Sequence, residues 1–192
     1  HSLNAARRTV GKHLAALTLT LLAGCAVAPS APPRPHRNAI AAFVLEGRLS
    51  IRQGDKPYAS NIEWQHTPDG DRIFLSGPLG QGIAELSRDA TGATLLTADR
   101  RTVKAADWSS LAEALLGIRL PLSGAVRWIT GDVQPTLLDA VGRPRRALDQ
   151  GWIIDYLEYE SPHADALPAS MEFQREDIEV RLRVGQWQVG TP

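Results

Sequence analysis

The sequence predicts a mainly β (α+β) domain, in which an antiparallel meander curls into a barrel or part of one and carries a helical insertion. Apolar residues alternate with polar ones in short segments, and turn residues separate these segments. The alternation is interrupted once, by a stretch of helical period. Of the 192 residues, 43% are hydrophobic and 22% are charged, which is usual for a globular domain.

Alternation of apolar and polar residues is clearest near the two ends of the domain. Ile178, Val180, Leu182 and Val184 alternate with charged residues, and the segment 45–52 follows the same pattern. Such a strand has one face in the core and one in water, as in antiparallel sheets. Less regular segments of the same kind raise the expected total to about ten or eleven strands. They are residues 58–66, 71–77, 82–88, 93–98, 101–105, 145–149, 152–159, 169–175 and 186–189.

The helical stretch begins after the segment 101–105. Apolar residues recur at helical spacing over 107–117, so this segment is predicted to be a helix. Ser110 and Glu113 fit a capping box, and Gly117 fits a C-terminal cap. The helix is amphipathic, and its apolar stripe therefore needs a surface to cover.

A second short helix is predicted from about Gly124 to Thr130, with Ser123 as its cap and Gly131 as its end. The two helices form a hairpin inserted between strands of one sheet. Such a pair can bury its apolar side across the open face of the curled sheet. A short amphipathic segment over 37–43 is predicted to add a third helix.

The first 24 residues have the composition of an export signal. They contain three basic residues and no acidic one, and their apolar stretch is too short to span a bilayer. The run Leu22-Ala-Gly-Cys25 resembles a bacterial lipobox, in which the cysteine carries the lipid. We therefore expect a lipoprotein signal peptide over 1–24 and a lipid anchor at Cys25. Ala26 follows where inner-membrane lipoproteins often have aspartate, so the resemblance implies the periplasmic side of the outer membrane.

Residues 25–38 are predicted to be the lipidated cysteine and a proline-rich tether, and residues 39–190 to be the folded domain. The whole chain has 21 basic and 21 acidic residues, hence no formal net charge. Without the three basic residues of the signal, 18 basic residues remain against 21 acidic ones, a net charge of about −3. Neither value favours nucleic acid, and the basic cluster 143–146 lacks interleaved aromatic residues.

No pattern in the sequence indicates catalysis. The Gly-x-Ser-x-Gly motif is absent, the histidines lack metal-ligand spacing, and a single cysteine can form neither a zinc site nor an internal disulfide. The glycines of the segment 77–82 do not have the spacing of a phosphate loop. We therefore expect no enzyme, no cofactor and no metal. A periplasmic lipid hydrolase is a rival hypothesis, but it lacks its nucleophile motif.

The loop Ser76–Gly82 contains a single large apolar residue, Leu79, between Pro78 and Gly80. Its glycine and proline content places the loop at the surface. The residues alone leave two placements of Leu79 equally open. The side chain either folds back onto the core or points outward, where it could enter a bilayer.

Short motifs spread over the expected mature chain resemble the LolB family of outer-membrane lipoprotein receptors. The motifs are Gly47-Arg-Leu49, Ile62-x-Trp64, Gly77-Pro-Leu-Gly80, Gly117-Ile-Arg-Leu-Pro-Leu122, Trp128-Ile-x-Gly131, Gln150-Gly-Trp152, Tyr156-x-x-Tyr159, Leu167-Pro168 and Trp187. The resemblance implies an unclosed antiparallel β-barrel of about eleven strands, with a helical lid over an apolar cavity.

The same resemblance implies a function without covalent chemistry. The protein is expected to accept acylated lipoproteins from the periplasmic carrier LolA and to insert them into the phospholipid of the outer membrane. It implies that Leu79, flanked by Pro78 and Gly80, protrudes and helps to insert the cargo, and a monomer is expected. The alternative function is that of an envelope lipid-binding sensor or structural adaptor without transfer activity.

The candidate cavity residues are the apolar residues expected to face inward from the strands and the lid. For each of them, ordinary core packing is at least as good an explanation as ligand contact. They are Leu49, Ile51, Ile62, Trp64, Leu75, Leu86, Leu95, Leu115, Ile118, Leu122, Trp128, Ile154, Met171, Phe173 and Val180.

Overall fold

A computed structural model of the chain describes residues 34–117 and 122–190, with only the backbone described for Leu116, Leu122 and Ser123. The expected signal peptide, Cys25 and most of the expected tether lie outside the described residues, and so does Ile118 of the candidate cavity set. The described part belongs to one structural unit, Arg34–Pro192.

The described residues contain eleven strands. They are β1 (Phe43–Gln53), β2 (Lys56–Thr67), β3 (Gly70–Ser76), β4 (Gly82–Asp89), β5 (Gly92–Thr97), β6 (Thr102–Ala105), β7 (Pro135–Leu138), β8 (Pro144–Asp149), β9 (Trp152–Tyr159), β10 (Pro168–Arg175) and β11 (Ile178–Val189). All pair antiparallel in one sheet of order β6-β5-β4-β3-β2-β1-β11-β10-β9-β8-β7. Because β6 and β7 form the two edges, the sheet is not closed, and the predicted fold class is confirmed.

The pairing of β1 with β11 joins the first six strands to the last five. Along both strands the alternating apolar residues turn to one side, which is buried, while the charged residues turn to the other. The sequence divided β11 into two segments because its alternation breaks at Gly185. In the structure β11 is one strand with a β-bulge there, since Glu46 pairs with Gln186 whereas Gly47 pairs with Val184.

Two helices lie between β6 and β7. The first, α1 (Trp108–Leu116), ends at Gly117, whose φ of 71° is left-handed as the C-cap prediction requires. The predicted capping box is wrong, because the N-cap is Asp107. The carboxylate of Asp107 accepts a hydrogen bond of 2.9 Å from the backbone N–H of Ser110, so Ser110 is a donor in the first turn.

The second helix, α2 (Leu122–Thr130), begins two residues before the expected start, so Ser123 lies inside the helix and is not its cap. The helix expected over 37–43 is only a 3₁₀ turn, Arg37–Ala39, because Phe43 already belongs to β1. No helix in the described part of the chain is long and apolar enough to cross a membrane.

β7 is the strand that the sequence did not predict. All four of its residues are exposed, so no alternation of buried and exposed side chains marks it. It begins with Pro135, which has no N–H to donate and is tolerated at the first residue of an edge strand.

Aromatic side chains fill the buried side of the sheet. Phe43 contacts Trp64 and Trp187 edge to face, with ring centroids 5.7 Å and 5.3 Å apart. In the other half, Trp128 of α2 stacks on Phe173 of β10 at 5.9 Å. Trp128 is therefore the aromatic contact between this helix and the sheet.

Gly47 allows the close approach of β1 and β11 at the bulge. A Cβ at this position would lie 2.3 Å from the carbonyl oxygen of Arg183, and backbone cannot move aside as a flexible side chain can. A Cβ at Gly185 would be 3.7 Å from its nearest neighbour, the carbonyl oxygen of Glu46, which is ordinary contact.

We therefore expect Gly47→Ala to lower the free energy of unfolding by about 2–3 kcal/mol, the usual cost of overpacking. Gly185→Ala, in the same bulge, is the matched control and should change it by less than about 0.5 kcal/mol. Urea denaturation followed by circular dichroism measures both values. Equal stability of the two variants would contradict the assignment of Gly47 as the closely packed residue.

Candidate functional site

A cavity of about 110 Å³ lies between the buried side of the sheet and the two helices, which we call the lid. Both halves of the sheet and both helices contribute to its wall, and almost no polar atom reaches its surface. The lining residues are Leu49, Ile62, Trp64, Ile73, Leu75, Leu86, Ala112, Leu115, Ala125, Trp128, Ile129, Trp152, Phe173, Val180 and Leu182.

The chemistry of the wall decides what can occupy the cavity. One water needs only about 10–15 Å³ of such space, but it also needs two to four polar partners, which this wall does not supply. Apolar cavities on the order of 150 Å³ stay dry and bind small hydrocarbons. The site is therefore suited to a hydrocarbon group and has almost no polar atom to orient a polar one.

The structure places most of the sequence-predicted candidates in this wall. Those in the wall are Leu49, Ile62, Trp64, Leu75, Leu86, Leu115, Trp128, Phe173 and Val180. Four others are buried in the core without lining the cavity, namely Ile51, Leu95, Ile154 and Met171. Leu122 lies in α2, but its side chain is among those not described. Alternation along a strand shows that a side chain points inward. It does not show whether that side chain lines the cavity or packs in the core, because both kinds of residue lie on the same face of the sheet.

Six wall residues were absent from the sequence-based set. They are Ile73, Ala112, Ala125, Ile129, Trp152 and Leu182. The two alanines leave space because their side chains are short, and a small residue on an amphipathic helix gives no distinct signal in a sequence. Ile73 and Leu182 followed the same alternation as the predicted residues and could have been included on that ground.

A buried carboxylate supports the wall behind Trp64. Asp71 Oδ1 accepts a hydrogen bond of 2.9 Å from the Trp64 indole and lies 2.7 Å from His66 Nδ1, while Asp71 Oδ2 accepts one of 2.9 Å from Arg88 Nε. Burial raises the pKa of the Asp71 carboxyl, but the hydrogen bonds from His66, Trp64 and Arg88 outweigh it and hold the pKa below its usual value. The carboxylate thus fixes the orientation of Trp64.

Both helices of the lid are attached to the sheet by tryptophans. Trp108 at the start of α1 packs on Trp64, with ring centroids 5.7 Å apart. Trp128 of α2 donates from its indole to Asp149 Oδ2 at 2.8 Å, and its backbone carbonyl accepts a hydrogen bond of 2.8 Å from Tyr156. Arg127 donates to the same Asp149 oxygen at 2.9 Å. The lid is therefore held at the first turn of α1 and the last turn of α2.

The loop between β3 and β4 presents Leu79 to solvent, with 94% of the residue's surface exposed. Of the two placements that the residues left open, the structure has the outward one. Gly77 donates from its N–H to the carbonyl of Gln81 at 2.8 Å, and Gly80, with a φ of 81°, donates to the carbonyl of Gly77 at 2.9 Å. These bonds close a tight turn, so Leu79 projects from a fixed base.

The described residues offer little for polar chemistry. Within 34–117 and 122–190, no group of three or more His, Cys, Asp or Glu side chains could hold a metal ion. The basic cluster noted in the sequence is largely neutralised, because Arg143 pairs with Asp139 at 2.7 Å and Arg146 pairs with Asp155 at 2.6 Å.

An open antiparallel sheet that surrounds an apolar cavity and is covered by two helices is the architecture of proteins suited to bind a hydrophobic ligand. The model of the family described as outer membrane lipoprotein LolB matches residues 41–187. The outer-membrane lipoprotein LolB of Azoarcus sp. (strain BH72) is 38% identical over 181 residues, which cover 92% of this chain and 94% of that protein. The LolB of Dechloromonas aromatica (strain RCB) is 36% identical over 180 residues, with 89% and 94% covered. The chain belongs to the LolB family: it is a lipid-anchored outer-membrane protein with the family's receptor role in lipoprotein localisation.

Solved structures of low sequence identity share the fold. A putative outer membrane lipoprotein-sorting protein domain from Vibrio parahaemolyticus is similar with a TM-score of 0.52 at 12% identity, over 81% of this chain and 89% of that one. A LolA superfamily protein from Nitrosomonas europaea is similar with a TM-score of 0.51 at 9% identity, over 80% and 88%. At these identities the likeness concerns the fold alone.

The lowered pKa of Asp71 predicts a pH dependence of stability. A carboxylate with a depressed folded-state pKa stabilises the protein above the unfolded-state value of about 3.9, and this stabilisation is lost as the pH falls through the folded-state pKa. We expect Asp71→Asn to lower the free energy of unfolding at pH 7 by about 2–4 kcal/mol. The free energy of unfolding of the variant should also depend less on pH below about pH 4.

Asp69→Asn is the matched control, because Asp69 is exposed in the turn that precedes Asp71. Urea denaturation at a series of pH values compares the three proteins. If Asp71→Asn had the same acid dependence as the parent protein, the carboxylate would not be the group that responds to acid.

Proposed function

We propose that this protein accepts acylated lipoproteins from a LolA-type periplasmic carrier and delivers them into the phospholipid of the outer membrane. It acts as a single chain, anchored through a lipid on Cys25 after removal of residues 1–24, and residues 26–38 form the tether. No bond of the cargo is made or broken in this handover. The observation that carries the proposal is the apolar cavity beneath the lid.

The cavity supplies the affinity for an acyl chain. Transfer of each methylene group from water into the cavity is favourable by about 0.8 kcal/mol. The wall is apolar, so almost no polar group of the protein loses its hydration when the chain enters. The attraction is non-directional, because the wall has almost no polar atom to orient the ester or peptide part of the cargo. The polar part of the lipoprotein therefore stays outside the cavity.

Modest differences in affinity are sufficient to drive such a handover. A chain moves from carrier to receptor to bilayer if each site holds it more favourably than the one before, and no energy source is required. A volume of about 110 Å³ accommodates only part of a long acyl chain. Fuller occupancy requires a wider cavity. Movement of the lid away from the sheet would provide it, and the contacts of Trp108 and Trp128 resist that movement.

Leu79 provides the step into the membrane. Transfer of a leucine side chain from water into hydrocarbon is favourable by about 1.5–3 kcal/mol. Because Leu79 is exposed to water in the free protein, this free energy is released only when the loop enters the bilayer. The turn that carries it is closed by its own backbone hydrogen bonds, with Pro78 on one side and Gly80 on the other, so little conformational freedom is lost on insertion.

Uptake of cargo should respond to the size of the cavity. Ala125→Leu adds three carbons to the wall on α2. We expect it to weaken the uptake of acylated lipoprotein from the carrier by about tenfold, because the cavity loses space for about two methylene groups. Ala59→Leu, at an exposed alanine of β2, is the control and should behave as the parent protein. Transfer is measured by co-purification of a labelled lipoprotein.

If the parent protein took up no acylated cargo at all, the proposal would be wrong and the sensor or adaptor function would be favoured. Release of free fatty acid during the assay would instead indicate a hydrolase.

Delivery should depend on Leu79. We expect Leu79→Glu to leave folding and uptake unchanged but to reduce transfer of cargo into liposomes by at least tenfold, because a carboxylate does not enter hydrocarbon. Leu148→Glu is the matched control, since Leu148 is also exposed but lies on β8, away from this loop. Liposome flotation after mixing with the cargo complex measures delivery, and normal delivery by Leu79→Glu would exclude the membrane role of the loop.

A further inference from the structure

We infer that Arg48 and Arg183 bind the phosphate of anionic phospholipid headgroups while Leu79 is in the bilayer. The two arginines lie on the outer face of the sheet, the face opposite the cavity. This inference rests on the proposed role of the Leu79 loop, and it adds the class of lipid that the loop meets.

The pairing of these two arginines is unfavourable by itself. Arg48 of β1 and Arg183 of β11 are directly opposite each other in the register, and both are exposed. Like charges in directly opposed positions of a sheet destabilise it. Neither side chain has a hydrogen-bond or ion-pair partner among residues 34–117 and 122–190. The two positive charges therefore lie side by side without an ion-pair partner in the described part of the chain.

Other arginines on this face are neutralised. Arg52 pairs with Glu179, Arg72 pairs with Glu85 at 3.2 Å, and Arg181 pairs with Glu172 at 2.9 Å. Against this background, two opposed arginines without an ion-pair partner among the described residues are a local departure from the pattern, and such departures are expected at functional sites.

The surroundings of the pair suit a phosphate group. Arg48 and Arg183 border an open groove of about 400 Å³, which the bulge at Gly185 leaves without a side chain on that side. The amides of Asn61 and Gln186 line the same groove and can donate further hydrogen bonds. Two guanidinium groups present planar sets of donors, the arrangement that binds phosphate oxygens in pairs.

One acidic residue also borders the groove, on the side away from the loop. Glu46 precedes Arg48 by two residues, and its partner in β2 is Glu63, which pairs with Phe74. Arg48 pairs instead with Asn61, which pairs with Ser76 at the base of the Leu79 loop. The arginines are therefore nearer to the loop than Glu46 is.

The two arginines belong to a row of paired residues that leads to the Leu79 loop. Arg183, Arg48, Asn61 and Ser76 form one row across four strands, about 14 Å wide at the usual strand spacing. Asn61 donates to the carbonyl of Gly77 at 3.0 Å, which ties the row to the loop. Leu79 is three residues beyond Ser76, so it lies at most about 10 Å further along the chain direction.

Insertion of Leu79 therefore brings the row close to the headgroup layer, where a charge acts over a screening length of about 8–10 Å. Phe74, on the same outer face and 39% exposed, has its ring against Gly82 at the far end of the loop. Leu79 in the loop and Phe74 on the outer face beside it are thus both exposed apolar side chains, which favours the approach of that face to the membrane.

Vesicle binding tests the inference. The full chain without its lipid modification is sedimented with vesicles of phosphatidylcholine, and with vesicles of equal parts phosphatidylcholine and phosphatidylglycerol. The double variant Arg48→Gln/Arg183→Gln should bind the anionic vesicles about tenfold to thirtyfold more weakly than the parent protein, since each arginine near an anionic surface contributes to binding. Its binding to neutral vesicles should be unchanged.

The double variant Arg72→Gln/Lys104→Gln is the matched control. It removes the same charge from the same face. Arg72 and Lys104 belong to a different row of paired residues, which runs from β3 to β6 through Ser87 and Thr94. Arg72 precedes Ser76 by four residues on β3, so this row is further from the loop. Less than about a threefold change is expected on anionic vesicles. Thermal unfolding should show that Arg48→Gln/Arg183→Gln is as stable as the parent protein or more so, because a like-charge pair is removed.

Equal weakening by the two double variants, or equal weakening on neutral and anionic vesicles, would overturn the inference. It would also be overturned if vesicle binding were unchanged while cargo uptake from the carrier fell, because the pair would then contact the carrier. Leu79→Glu separates the two proposals, since it should weaken binding to both kinds of vesicle. If it does so while the arginine variant binds as the parent does, the headgroup site fails and the role of the loop stands.

Discussion

The antiparallel pairing of β1 with β11 is the contact on which the rest of the structure depends. It joins two ladders of neighbouring hairpins into one sheet, so that residues far apart in the chain form a continuous buried face. A shift of one residue in this register would turn every buried side chain of β11 to the outer face. The glycine bulge at Gly47 and Gly185 sets the register near the centre of the pairing, and the wall residues Leu49 and Leu182 pair two residues away from it.

The cavity is a region of the core that side chains leave unfilled. A void of about 110 Å³ costs roughly 2–3 kcal/mol relative to a filled core, by the measured dependence of stability on cavity volume. The alanines of the lid maintain this void where larger residues would close it. Elsewhere the buried face is densely packed with aromatic rings, and Asp71 and Asp149 fix two of them through hydrogen bonds. The protein thus combines a rigid frame with one unfilled, apolar space.

Much of this architecture could be predicted from the sequence, because period-two alternation directly reports a sheet with one buried face. β7 could not be predicted, since its residues are exposed on both faces and have no alternation to detect. The role of Asp71 could not be predicted either, because its partners come from two neighbouring strands and only the register brings them together. The outward placement of Leu79 depends on the turn geometry of its loop, which composition alone left undecided. Similarly, the neighbouring positions of Arg48 and Arg183 follow from the pairing of the first and last strands.

The free edges at β6 and β7 have a mechanical consequence. A closed barrel has a circumference set by its strand number and shear, and its interior volume is fixed accordingly. A sheet with a seam can flatten or curl by small changes of twist at each of its strand pairs, and every interstrand hydrogen bond is retained. Its interior can therefore widen gradually as a guest enters, with resistance spread over the whole sheet, and can relax when the guest leaves.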